Sequence, residues 1–320
     1  MKLIELYKKA VEFGIKEDPR SAREIKHHFE EEEKKFKKLE PEAKKDYDPD
    51  RLFNPFADTR ILHGAPGVQV KNIMVGIDVE TPELLLADRL RDKGKKIDCL
   101  IGHHPEGRAY ANFYRVMELQ ADVLSKFGIS ISVAEAYLEK RMKDVAHRVK
   151  PVNHFRAVDA AELLEVPLIC IHTPADNHVA RFLQNMFDRD KPYQLRDVIE
   201  LLKTIPEYRL AASRGEGGPA VISGSPEKRA GRIMVDMTGG TEGAVEMMEK
   251  LPASGVSTVV GMHLSEKHLE AAQKSKLNVV IAGHISSDSL GLNLLLDKIE
   301  KSFHPLNITD CSGFTRVKRN

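Results

Sequence analysis

The spacing of hydrophobic residues changes near residue 70. Before it, apolar residues recur at helical intervals among many charges, which predicts an N-terminal helical segment interrupted by Pro41 and Pro49. Beyond it, short uninterrupted apolar runs alternate with amphipathic stretches. Such runs are typical of strands buried on both faces, so the pattern predicts an α/β protein with largely parallel or mixed sheets. The predicted strands are Asn72–Ile77, Ile97–Ile101, Ile129–Val133, Pro167–Ile171, Arg232–Val235, Val256–Gly261, Asn278–Ala282 and Leu306–Thr309.

The order of the predicted elements indicates two related units. Both halves run strand, helix, strand, although no repeat is obvious residue by residue. We expect an N-terminal helical segment over residues 1–50, a first α/β unit over 51–190 and a second over 191–320. The run from Arg214 to Pro226 is rich in turn formers and predicts a loop within the second half.

Composition narrows the class of protein. The net charge is +1, without the basic excess typical of nucleic-acid binders. No apolar run approaches the roughly 20 residues of a membrane span, and the N-terminus does not resemble a secretion signal. The 3 cysteines form no Cys-x-x-Cys pair and are expected to be reduced, so we predict a cytoplasmic protein without a thiolate zinc site.

Histidines follow four of the predicted strands at their carboxyl ends. They are His103 with His104, then His172, His263 and His284. Ligands of open α/β sheets gather at that edge, so these side chains are expected to converge. A single histidine there is usually structural, but four such positions favour a shared site.

Two of these histidines precede an aspartate by four residues. His172 is followed by Asp176, and His284 by Asp288. Residues at this spacing share a helix face, and imidazole with carboxylate is a ligand set for Zn, Fe or Mn. The alternative is that these are ordinary loop histidines and helix-capping aspartates.

Four motifs in this order resemble the GTP cyclohydrolase I type 2 family, also called the NGG-interacting factor three-like family. The resemblance covers roughly residues 50–317 and rests on the segments Val75–Pro82, Ile101–Pro105, His172–Asp176 and Ala282–Asp288.

The resemblance implies two linked α/β units with a dinuclear metal site between them, assembled as a toroidal homohexamer. It places two divalent ions, Zn, Fe or Mn, on ligands at His103, His104, Asp176, His284 and Asp288. His172 then becomes a neighbour of the site that orients Asp176 or a bound water.

This chain departs from the family pattern in three places. Asp288 stands where the family usually has glutamate, and Pro174-Ala175 replaces the usual Asn-Leu. An added helical stretch, Glu135–Lys150, is expected to shape the entrance to the site and to change the substrate.

Two further features lie near the expected site. His263 and Glu266 occupy positions where the family often has a histidine and an acid near the cavity, with a plain helix start as the alternative. The glycine cluster Met237–Gly243 predicts a tight turn from a strand into a helix, with anion binding as the alternative.

The leading functional hypothesis is a metal-dependent hydrolase acting on a nucleotide, a related heterocycle or a phosphoester. His172, His263 or Glu266 would transfer protons. The alternatives are a non-enzymatic metal carrier or insertion factor, and a regulatory scaffold protein.

Overall fold

The computed structural model of the protein describes residues 1–319. Over that range it forms nine strands in two sheets, one of five strands and one of four. The strands are β1 Arg60–His63, β2 Asn72–Gly76, β3 Cys99–Gly102, β4 Leu168–Cys170, β5 Ala220–Ser223, β6 Ile233–Asp236, β7 Thr258–Gly261, β8 Asn278–Ile281 and β9 Asn307–Asp310.

Helices flank both sheets and separate most of the strands. They are α1 Leu3–Lys16, α2 Ala22–Lys38, α3 Pro41–Lys45, α4 Thr81–Asp92, α5 Gly107–Asn112, α6 Leu119–Lys126, α7 Ile131–Val149, α8 Arg156–Leu163, α9 Thr173–Asp190, α10 Leu195–Lys203, α11 Pro206–Arg214, α12 Met247–Lys250, α13 Glu266–Lys274 and α14 His284–Ser302. Short 3₁₀ turns cover Pro49–Leu52, Phe113–Glu118 and Pro252–Ser254.

The two sheets share one topology. The first runs β1-β4-β3-β2-β9 and the second β5-β8-β7-β6, so the first four strands of each have the same spatial order. In both sheets the first strand is antiparallel to its neighbour, and the other pairs are parallel. This confirms the predicted α/β class with mixed sheets.

A residue-level repeat accompanies the shared topology. The sequence Ile-Met-Val occupies β2 from Ile73 and β6 from Ile233. Each copy follows a Gly-x-Pro turn whose glycine, Gly64 or Gly224, has φ of +110° or +106°. A left-handed backbone favours glycine, so both units turn between their first two strands in the same way.

Helices α9 and α14 connect the two halves. They pack against each other, and each also packs against the sheet of the other half. Helix α9 follows β4 of the first sheet, yet its Val179 and Leu183 join the core of the second. Helix α14 follows β8 of the second sheet, yet its Leu292 and Leu295 join the core of the first. The N-terminal ends of both helices are thereby held together between the sheets.

The structure corrects several local predictions. Ile129–Val133 is not a strand, because α7 begins at Ile131 and buries a helical face that includes Ala134 and Leu138. Strand β1 was not predicted, and β5 lies inside the run interpreted as a loop. The C-terminal strand β9 pairs with β2 of the first sheet.

Two further observations bear on the class of protein. In the described part of the chain, none of the helices combines the length and the apolar character needed to cross a bilayer. Cys99 and Cys170 are buried in neighbouring strands, in the positions that the apolar runs predict.

Candidate metal centre

The ends of strands and the first turns of two long helices form one cluster of side chains. His103 and His104 follow β3, which lies beside β4 in the first sheet. His172 precedes α9 and Asp176 lies in its first turn, whereas His284 and Asp288 lie in the first turns of α14. Since α9 and α14 are packed together, the helix ends bring both aspartates to the same place.

Asp288 is the centre of the cluster. Its Oδ1 lies 3.5 Å from His103 Nε2, and its Oδ2 lies 3.4 Å from His104 Nε2 and 3.6 Å from His284 Nε2. The carboxylate is buried, with its side chain 1% exposed. Each of its oxygens therefore faces a different set of imidazoles.

Asp176 completes the more deeply buried side of the cluster. Its Oδ1 lies 3.4 Å from His103 Nε2, and its Oδ2 lies 3.7 Å from His172 Nε2. The rings of His103 and His172 are neighbours, with centroids 4.8 Å apart.

The buried atoms of this cluster fit a divalent cation. Among the described residues, His103 Nε2, Asp176 Oδ1 and both carboxylate oxygens of Asp288 are buried without a hydrogen-bond partner. Such atoms are costly to leave unsatisfied. Ligand atoms about 2.1 Å from a tetrahedral ion lie about 3.4 Å apart, which agrees with the separations around Asp288 and Asp176. Three geometric groups of possible ligands result: His103 with both aspartates, His104 with His284 and Asp288, and His103 with His104 and His172.

Outer hydrogen bonds fix the orientation of three imidazoles. Nδ1–H of His104 donates to Asp78 Oδ1 at 2.7 Å, and Nδ1–H of His172 donates to Asp58 Oδ2 at 2.7 Å. Nδ1–H of His103 donates to the carbonyl of Ile171 at 3.1 Å. In each case Nε2 is directed to the cluster, which is the usual arrangement of a histidine that ligates a metal.

The carboxylates control protonation in the metal-free protein. Burial lowers the pKa of His103, but Asp288 and Asp176 outweigh it and raise that pKa to about 10. Burial likewise lowers the pKa of His104, and Asp288 with Asp78 raises it to about 9. Burial alone would raise the pKa of Asp288, but His103 and His104 hold it well below its usual range. Protonated imidazoles therefore balance the carboxylates when metal is absent.

His263 lies at the rim of the same cleft. Its ring centroid is 4.6 Å from that of His284, and its Nδ1 is 3.4 Å from Glu242 Oε1. Burial raises the pKa of Glu242, but His263 and His268 lower it to about 2. Glu242 in turn raises the pKa of His263. The rim thus carries an imidazole paired with an ionised carboxylate.

Glu266 is separated from the cluster. It is the exposed first residue of α13 and lines a different cavity, of ≈ 480 Å³, together with Lys140 and Arg148 of α7. The cleft at the cluster is instead lined by His172, Asp176, His263, His284 and Asp288. The structure therefore brings together every predicted site residue except Glu266.

The glycine cluster forms a wall of the cleft. It does not lead directly into a helix as predicted, because α12 begins only at Met247. The loop is held from behind by Gln120, whose Nε2 donates to the carbonyls of Gly239 and Thr241 at 2.8 and 2.7 Å. Arg141 of α7 donates to the Glu242 carbonyl at 3.0 Å. The added helical stretch therefore shapes this wall rather than the ligand cluster.

Three acidic residues of the site were missed from the sequence. Asp78 follows β2 at the same sheet edge as the histidines, so the rule that located them also applies to it. Asp58 precedes β1, a strand that was not predicted, and Glu242 lies in the glycine-rich loop. Neither Asp58 nor Glu242 follows a predicted strand, so the strand-end rule does not locate them.

Comparison with known proteins supports the fold. No family model matches the chain, and no curated protein does either. A solved NIF3 superfamily protein from Sphaerobacter thermophilus is 26% identical over 79% of this chain and 90% of its own, with a TM-score of 0.68. Reduced HcgD from Methanocaldococcus jannaschii, 15% identical over 84% of this chain and 94% of its own with a TM-score of 0.51, shares the fold alone. The resemblance drawn from the motifs is thereby confirmed.

Proposed function

We propose, from the NIF3 superfamily fold of this chain, that the protein binds two divalent metal ions and acts as a metal-dependent hydrolase. The observation that carries the proposal is the position of Asp288, whose two oxygens face separate imidazoles at the base of a cleft. The ligands in this proposal are His103, His104, Asp176, His284 and Asp288. Imidazole and carboxylate together suit Zn, Fe or Mn.

Side chains around the cleft have separate tasks in this proposal. A pair of divalent ions, when bound, supplies Lewis-acid activation of water and of a substrate oxygen. Asp78 keeps His104 in one orientation, and Asp58 does the same for His172. In this proposal His263, paired with Glu242 at the rim of the cleft, donates a proton to the leaving group.

The proposed class of substrate is taken from the name of the family that the sequence resembles. We propose a nucleotide, a related heterocycle or a phosphoester, because anionic oxygens of such molecules bind divalent ions. The toroidal homohexamer and the cytoplasmic location expected from the sequence stay predictions.

A metal carrier is the second candidate, and one observation favours it. The side chains of His104 and His284 are 26% and 40% exposed, so an ion between them is within reach of solvent and of other chelators. A carrier needs such an exchangeable position, whereas turnover needs a substrate to bind there.

Metal analysis combined with a substrate screen tests the proposal. We expect the purified protein to hold about two equivalents of metal by elemental analysis and to hydrolyse at least one nucleotide or phosphoester. His284→Ala is expected to remove one equivalent and to lower kcat by roughly 100-fold or more, since one ion lacks a ligand.

The matched control is His147→Ala, which alters an exposed histidine of α7. It is expected to leave metal content and turnover unchanged. Metal that passes readily to a weak chelator, without turnover of any substrate, would support the carrier. Absence of bound metal in the unaltered protein would overturn both candidates.

A further inference from the structure

We infer that the part of the cleft over the second sheet binds a planar heterocycle with an N–H donor at its edge, and that Asp236 recognises this donor. We call this part the ring chamber, and it is lined by Asp236, Met248, Val259, Val279 and Ile281. The inference rests on the proposed function for the reaction at the ions, and it names the part of the substrate that lies away from them.

The ring chamber lies on one face of the second sheet. Alternate residues of a strand point to the same face, so Met234 and Asp236 of β6 share a face with each other. Met234 packs in one hydrophobic cluster with Val259 of β7 and with Val279 and Ile281 of β8. Asp236 therefore places a carboxyl group among apolar side chains, at the end of β6.

The corresponding space of the first unit is filled by a side chain. Through the Ile-Met-Val repeat, Gly76 of β2 corresponds to Asp236 of β6, and strand pairing makes Gly102 of β3 the counterpart of Gly261 of β7. Val79 packs over both glycines of the first unit and is 2% exposed. A Cβ atom added at Gly76 would lie 3.0 Å from Val79 Cγ2, and one added at Gly102 would lie 3.1 Å from Val79 Cβ. A buried valine thus occupies the place that the ring chamber has in the second unit.

The sequence of the second unit explains why its chamber is open. At the same distance from the repeat, Gly239 stands for Val79 and Ala244 for the buried Leu84, so two large side chains are replaced by small ones. A Cβ atom added at Gly261 would meet two backbone oxygens, at 3.5 and 3.6 Å, and no described side chain within 4 Å. The whole cleft has a volume of ≈ 70 Å³. Since one water needs roughly 10–15 Å³ of such volume, the cleft has room for about five waters or one heterocyclic ring.

Asp236 is available to a ligand in the ring chamber. Its carboxyl group lines the cleft, and among the described residues it has no hydrogen-bond partner. Burial raises the pKa of Asp236; His268 and His263 oppose this rise, and Glu242 adds to it. A carboxyl group accepts a hydrogen bond from an N–H donor in its neutral and in its ionised form. A ring that lacks the donor leaves the buried carboxyl group without a partner, which is costly.

The walls and the extent of the cleft suit a flat substrate. Met248 and Met262 line it, and thioether side chains adapt their shape to planar ligands and contact aromatic rings favourably. The same cleft continues to His284 and Asp288 of the metal cluster. A molecule with its ring in the chamber and an anionic group at the ions therefore spans one continuous cleft.

Nucleoside binding to the full-length protein tests the inference. The probes are three pairs, adenosine with purine riboside, guanosine with inosine, and uridine with 3-methyluridine, and the second member of each pair lacks one N–H donor group of the first. Equilibrium dialysis measures the affinities on metal-free and on zinc-loaded protein. In at least one pair, we expect the member with the additional donor to bind about tenfold more tightly or better, with and without zinc.

Two chamber variants and two controls locate the ring. Asp236→Leu keeps a side chain of similar size, so it should bind both members of the discriminated pair with affinities within about twofold of each other. Gly261→Ala adds a methyl group to the floor of the chamber and should weaken binding of the preferred nucleoside by about tenfold. Asp188→Asn, an exposed change on α9, and Gly67→Ala, whose added Cβ meets no described atom within 4 Å, should bind like the unaltered protein. Both chamber variants should keep its zinc content, because neither residue is a proposed ligand.

The outcomes distinguish this inference from the proposed function, because nucleosides carry no phosphate and their binding needs neither zinc nor turnover. If zinc binds and a phosphoester is hydrolysed, but the affinities within every pair are equal, the inference is wrong and the proposed function stands. If a pair is discriminated through Asp236 in a protein that binds no zinc, ring recognition stands and the proposed function is wrong. A preference that persists in Asp236→Leu, or an unchanged affinity in folded Gly261→Ala, would place the ring elsewhere and overturn the inference.

Discussion

At the scale of single residues, the site depends on a short acidic side chain in a confined position. Asp288 stands where the family usually has glutamate, yet its carboxylate lies within 3.6 Å of three imidazoles. Helix α14 lies directly against Ala175 of α9 at Gly291, three residues after Asp288. The departure seen in the sequence is therefore compatible with one carboxylate serving both ions.

The first prediction concerns proton release. With pKa values of about 10 for His103 and about 9 for His104, both imidazoles are protonated at pH 7.5 in the metal-free protein. Ligation requires neutral imidazoles, so loading at pH 7.5 should release about two protons per chain. Because both pKa values are raised, their contribution to metal-free stability is complete below about pH 6.5 and is lost as pH rises through 9 to 10.

Isothermal titration in two buffers of different ionisation enthalpy measures this release. The release should decline towards zero above about pH 10, and metal affinity should rise with pH up to that point and then level off. His147→Ala is a suitable control because its imidazole is exposed on α7. A release near zero at pH 7.5 would contradict the prediction.

The acidic residues around the ligands show how far sequence reasoning extends at this scale. The positions of His103, His172 and His284 follow from strand ends, which hydrophobic runs identify well. Asp58 is different, because it approaches His172 from a turn 114 residues earlier in the chain. Only tertiary structure brings the two together, so no local pattern predicts the pair.

At the scale of elements, the parallel strands were predictable and the two antiparallel edge strands, β1 and β5, were not. Strands β2 and β8 are uninterrupted apolar runs, since helices or neighbouring strands cover them. Strands β1 and β5 have only four residues each, lie at sheet edges and shift register against their neighbours, so no long apolar run marks them in the sequence. The prediction of a strand at Ile129–Val133 was wrong for another reason. Its alternation imitates a strand, but the longer spacing from Ala134 to Leu138 belongs to helix α7.

The second prediction concerns the contact between α9 and α14. A Cβ atom at Gly291 would lie 2.5 Å from the carbonyl oxygen of Ala175 and 2.9 Å from its carbon, both backbone atoms. Gly291→Ala should therefore force the helices apart and destabilise the protein by about 1–3 kcal/mol. This loss would occur although alanine is favoured over glycine in a helix by about 1 kcal/mol.

Since Ala175 precedes Asp176, the same change should weaken zinc binding by about tenfold. Urea denaturation and zinc titration measure the two effects. Gly67→Ala is the matched control, because an added Cβ there meets no described atom within 4 Å. If Gly291→Ala changed neither the zinc affinity nor the stability, the contact between α9 and α14 would have space for an added methyl group, and the prediction would be wrong.

At the scale of the whole molecule, neither half has a complete core of its own. The first sheet is covered by Leu292, Leu295, Leu296 and Ile299 of α14, and the second by Val179, Leu183, Met186 and Phe187 of α9. Strand β9 adds a further connection, since it follows α14 and pairs with β2. The exchanged helices also carry Asp176 and Asp288, so the metal ligands come from both halves and meet where the cores are joined.

The third prediction follows from this arrangement. Because each sheet is covered by a helix from the other half, the metal-free chain should unfold in one transition, with the same urea midpoint by far-UV circular dichroism and by fluorescence of its 7 tyrosines.

Zinc binds only where both halves are assembled, so free zinc at a thousand times the dissociation constant should add about 4 kcal/mol per ion to the free energy of unfolding. In a thermal scan this corresponds to a rise in Tm on the order of 5–10 °C. Asp288→Asn should remove most of that rise, whereas Asp188→Asn, an exposed change on α9, should retain it. Two separate transitions would show that the halves fold independently, and an equal rise in Asp288→Asn would place the stabilising zinc elsewhere.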